Sequence, residues 1–135
     1  MIRIPLQSLL LATTLLFLSI PLAAQADSEI AKPTLVKIHA NWCGTCKRIE
    51  STWEELKASY GEDANFVVFD VTDKAALEKS RAEAERLGLT AVFDEHKSQT
   101  GTIAIIGPDG ETVTVFKGVT DAERYEGAIG QACTS

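Results

Sequence analysis

The chain has 135 residues, of which 13 are basic and 19 acidic, for a formal charge of −6. That length suits a single domain with one core. The acidity argues against nucleic acid or an anionic membrane as a partner, because both select basic patches.

The first 26 residues read as an export signal and not as part of the fold. Arg3 gives a short positive start, Leu9 to Ile20 an apolar core and Pro21 a break. Ala24-Gln25-Ala26 then offers a small-x-small cleavage site before Asp27. Thr13, Thr14 and Ser19 interrupt the apolar core, which falls short of the ~20 residues of a spanning helix. An uncleaved anchor is the competing reading. Cleavage leaves 109 residues with 12 basic and 19 acidic side chains. It predicts a periplasmic protein with no stable membrane insertion, in a compartment where disulfides persist.

Residues 27–33 are polar, carry Pro33 and read as a flexible lead-in. Leu35 to Ala40 forms a strand whose period of two sends Val36 and Ile38 to one face and Leu35, Lys37 and His39 to the other. Between Cys43 and Tyr60, the residues Ile49, Trp53, Leu56 and Tyr60 recur at helical spacing, and Gly61 ends the helix. Phe66 to Val71 is nearly continuously apolar, the pattern of a strand buried on both faces. Thr72 or Asp73 caps a helix that runs to Leu87 and stops at Gly88. Leu89 to Gln99 reads as a long loop. Thr102–Ile106 and Thr112–Lys117 form a hairpin around Gly107-Pro108-Asp109-Gly110, and Thr120-Asp121-Ala122-Glu123 reads as a capping box opening a last helix. Strands alternating with helices, then an antiparallel hairpin, predict an α/β domain over residues 34–135, with a mixed central sheet flanked by helices.

The chemistry lies where the first strand gives way to a helix, in Trp42-Cys43-Gly44-Thr45-Cys46-Lys47. Two cysteines in a first helical turn can close a short disulfide at a Cα separation of roughly 5–6 Å. Unpaired N–H groups and the helix dipole there favour a thiolate, the nucleophile of disulfide exchange. Zinc sites use the same spacing, but a second C-x-x-C is missing.

The W-C-G-x-C-K run, in this order of elements, resembles the thioredoxin superfamily, and the resemblance covers most of the chain after residue 30. It implies a thioredoxin-like three-layer sandwich and an enzyme that exchanges disulfides with protein substrates and a redox partner protein. No cofactor is required, since the cysteines carry the two electrons, and the chain is expected to be a monomer. Cys43 would be the exposed attacking thiol and Cys46 the buried resolving thiol, with Trp42 packed beside them or touching substrate. Lys47 lies one residue beyond.

Three departures from the family pattern stand out. Six residues before the first cysteine, where thioredoxins carry an Asp, this chain has Lys37. It either favours the thiolate as a buried cation or snorkels to water. Gly101 stands where a cis-proline is usual, in Thr100-Gly101-Thr102; it keeps the backbone permissive and leaves edge groups open to a partner peptide. The long Leu89–Gln99 segment should lie beside the site and could bring His96 near Cys43. With Lys37, Thr45 in place of the usual proline suggests a potential above the about −270 mV of thioredoxin.

The alternative function uses the same cysteines. Cys43, Cys46, His39 and His96 would make a Cys₂His₂ set suited to zinc or copper, so a periplasmic metal carrier of this fold competes with the enzyme. A redox-inactive binding domain is a third reading, weakened by the intact C-x-x-C. Cys133 is the odd cysteine, either a filler near the tail or the source of an intermolecular disulfide.

Overall fold

The computed structural model describes residues 31–134; residues 1–26, read above as an export signal, and the first part of the expected lead-in lie outside the described residues. The elements run β1 (Thr34–His39), α1 (Gly44–Tyr60), β2 (Asn65–Asp70), α2 (Lys74–Leu87), α3 (Thr90–His96), β3 (Thr102–Ile106), β4 (Thr112–Lys117) and α4 (Ala122–Ala132). Alternation along β1 sets the layers. Leu35 joins a core with Ile49, Trp53 and Leu56 of α1 and Tyr125 and Ile129 of α4. Val36 and Ile38 join a second core with Ala84 of α2 and Val92 and Phe93 of α3. The sheet is therefore covered on both faces, giving the expected three-layer sandwich.

Strand order is β2-β1-β3-β4, with β1 parallel to β2 and antiparallel to β3, and β3 antiparallel to β4. Every residue of β3 is buried, as suits a strand with neighbours on both sides. β2 is not the doubly buried strand that its apolar run predicts. Among the described residues it is an edge strand, and Val68 stays 45% exposed.

The Leu89–Gln99 segment is likewise not a loop. Its middle is α3, which lacks a side-chain cap and is held by burial of Val92, Phe93 and His96. The Phe93 ring stands edge-on to Phe69 at 5.2 Å. Tertiary packing stabilises so short a helix where propensity alone cannot. The last helix also starts one residue later than the capping box predicts. Asp121 is its cap, accepting from the Glu123 N–H, while the Thr120 carbonyl accepts from the Thr52 hydroxyl.

Candidate active site

β1 delivers the chain to the sheet end, and the Cys43 N–H donates to the Ala40 carbonyl at 3.0 Å, folding the motif back into α1. Cys43 is the N-cap of α1. Its sulfur accepts from the Cys46 N–H at 3.0 Å, as a serine or aspartate oxygen does in an ordinary cap. The two cysteines are joined in a disulfide with their Cα atoms 5.2 Å apart. The first turn of α1 contains no acidic residue, and Lys47 and Arg48 lie exposed just beyond. A negative charge on Cys43 would thus sit at the N-terminal end of a helix whose first turn carries no opposing carboxylate.

Burial orders the cysteines as expected but more tightly. Cys46 is wholly buried, its sulfur 3.7 Å from the Ile38 carbonyl oxygen, and Cys43 is only 5% exposed. Cys43 is therefore an edge and not an open thiol. Trp42 is 66% exposed, and its Nε1–H donates to the Thr72 carbonyl. Beside it the Asn41 N–H donates to the Thr72 hydroxyl, which donates in turn to Asp70. Burial pushes the Asp70 carboxyl upward, but the Thr72 hydroxyl and N–H and the nearby His39 outweigh it and hold the group below its usual range.

Lys37 neither reaches bulk water nor stands as a lone cation. It is 2% exposed, its Nζ donates to Glu50 Oε2 at 2.8 Å, and it lies 4.8 Å from the centre of the Trp53 ring. Glu50 is four residues after Cys46, so it lies on the same side of the helix one turn on. The opposite charge of Glu50 offsets the electrostatic pull on the thiolate that a lone Lys37 would exert.

Gly101 does not offer free edge groups. Its N–H donates to Ile38 and its carbonyl accepts from the Gly118 N–H. Its φ of +80° is the left-handed backbone that glycine tolerates. His96 is buried in the last turn of α3, with Nε2 3.9 Å from Glu95, and forms no hydrogen bond to either sulfur. His39 turns its Nε2 to Asn41 Oδ1. The Cys₂His₂ set is consequently not assembled. Among the described residues no group of three or more His, Cys, Asp and Glu could hold a metal ion. Cys133 is exposed at the end of α4, on a cavity of about 620 Å³ whose lining includes no residue of the motif.

Sequence reasoning missed Glu50, Thr72 and Asp70. The four-residue step from Cys46 to Glu50 was a usable signal. The Thr72 bridge spans 31 residues and had none.

A family model described as Thioredoxin matches residues 22–85. The chain is 40% identical over 59 residues to the thiol:disulfide interchange protein TxlA homolog of Synechocystis sp., a match covering 44% of this chain and 32% of that protein. It is 36% identical over 76 residues to thioredoxin H-type of Chlamydomonas reinhardtii, covering 56% and 62%. In both cases the match spans less than two thirds of the relative's length. A thiol:disulfide interchange protein from Chlorobium tepidum superposes with a TM-score of 0.54 at 18% identity, covering 76% of this chain and 81% of that one. Likeness at that identity speaks for the fold.

Proposed function

Because this chain belongs to the thioredoxin superfamily, we propose that it is an exported thiol–disulfide oxidoreductase acting on protein substrates through Cys43 and Cys46. The observation that carries this reading is the Cys43 sulfur at the N-cap of α1, 3.0 Å from the Cys46 N–H. With the disulfide reduced, that N–H and the helix end stabilise the Cys43 thiolate.

The thiolate attacks one sulfur of a partner disulfide. A Cys43–partner bond forms, the partner S–S bond breaks, and the displaced sulfur leaves as a thiolate that takes a proton. Cys46 then loses its proton and attacks the Cys43 sulfur. The Cys43–Cys46 bond closes, and the second partner sulfur leaves and is protonated. Two electrons pass to the partner, and the reverse sequence oxidises it. The exposed Trp42 indole, held by Thr72, offers a flat apolar surface beside the sulfurs for the partner chain. Export rests on the residue pattern of positions 1–26 and places the reaction in the periplasm.

Reduction of insulin disulfides by the dithiol form tests the reading. Cys43→Ser should abolish it, and Cys46→Ser should stop it at a mixed disulfide on Cys43. Full activity in Cys43→Ser would refute it.

A further inference from the structure

Thr45 sits between the cysteines and against two glycines that flank the paired ends of β3 and β4. A Cβ placed on Gly101 would lie 2.5 Å from Thr45 Cγ2 and 2.8 Å from Thr45 Cβ, and one on Gly118 would lie 3.1 Å from the same methyl. The Thr45 methyl therefore rests on bare main chain at both positions. That main chain is itself fixed. Gly101 N–H donates to Ile38 at 2.9 Å, and Gly118 N–H donates to Gly101 at 3.0 Å. Both glycines have positive φ, +80° and +65°. The ladder ends at the Ile38 carbonyl, the same oxygen that lies 3.7 Å from Cys46 Sγ. From above, Arg48 Nη2 donates to the Thr45 hydroxyl at 3.0 Å.

From this geometry we infer that Thr45 is a positioning residue for the resolving step, an inference that rests on the exchange reaction proposed above. While Cys43 is bonded to a partner, the covalent link between the two cysteines is gone. The first turn of α1 must then keep Cys46 aimed at Cys43 without it. The Thr45 methyl, seated on Gly101 and Gly118, holds that turn against the ends of β3 and β4. Gly101 is glycine because a side chain there would occupy the seat. A thiol held near its in-line position reacts faster than one that must search for it.

The lifetime of the Cys43–glutathione mixed disulfide measures the effect. The reduced chain carrying Cys133→Ser is mixed with oxidised glutathione, quenched with acid and weighed by mass spectrometry. Thr45→Ser removes the methyl and keeps the hydroxyl; Thr45→Val keeps the methyl and removes the hydroxyl. The mixed disulfide should persist at least tenfold longer in Thr45→Ser, with Thr45→Val restoring the parent lifetime within threefold. A Thr45→Ser lifetime within threefold of the parent overturns the inference, as does Thr45→Val being as slow as Thr45→Ser. A parent chain that forms no Cys43–Cys46 disulfide overturns the exchange reaction itself, which keeps the two failures apart.

Discussion

Lys37 and Glu50 form an asymmetric pair, and the asymmetry has consequences. The lysine is sealed between sheet and helix, whereas Glu50 keeps 48% of its side chain in water. Removing the charge of Glu50 leaves a buried cation without its counterion; removing that of Lys37 leaves a carboxylate that water can solvate. Glu50→Gln should therefore cost about 1–3 kcal/mol, between the values for exposed and buried pairs. Lys37→Met should cost less than about 1 kcal/mol, since an apolar replacement of similar volume suits the site. Chemical denaturation checks both, and a larger loss in Lys37→Met would refute the assignment. Glu50→Gln should also raise the reduction potential, because the uncompensated cation favours thiolate over disulfide. The sequence exposed half of this pair. Alternation along β1 placed Lys37 with Leu35, on the face that α1 covers, but its partner lies 13 residues away, and side-chain reach is not written in a periodicity.

Element ends, more than element middles, build the site. The motif turn is tied at one end by the Cys43 cap and at the other by Thr72, which links Asn41 and Trp42 to Asp70 at the end of β2. Asp70 is held below its ordinary value of 3.8, so its stabilising contribution is fully present above that pH. It is lost as the pH falls through the lower folded value. Asp70→Asn should remove this part of the acid sensitivity, making the loss of stability below about pH 4 shallower than in the parent. An unchanged acid limb in thermal melts would contradict the account. Helices with caps and long periods were readable: Asp73 and Gly88 bound α2, as Thr72/Asp73 and Gly88 suggest. Two-turn α3 was not readable, because seven residues carry too little period and its N-terminus carries no side-chain cap.

At the scale of the molecule, the α4 side is pinned by Tyr125. The residue is wholly buried, its hydroxyl donates to the Val119 carbonyl at 2.8 Å, and its ring meets Phe116 edge-on at 4.7 Å. Burial, opposed only by Arg124, pushes the phenol up to about 12 from its ordinary 10.0. The neutral form is the one the fold holds, so this stabilisation is intact below pH 10 and lost as pH rises through about 12. Tyr60 is also raised, by burial and the nearby Glu126 and Asp63 carboxylates, so tyrosinate absorbance should show two raised steps, of which the later disappears in Tyr125→Phe. The sandwich as a whole was legible, because alternating strands and helices leave few topologies open. Strand order was not: β2 and a central parallel strand share one apolar run, and only the neighbour count separates them. The central claim is that Cys43 and Cys46 act as a reversible two-electron couple. Equilibration of the Cys133→Ser chain in glutathione buffers tests it most directly. A single reversible transition between dithiol and Cys43–Cys46 disulfide is the predicted result; cysteines that stay reduced, or stay oxidised, across the whole buffer range would contradict it.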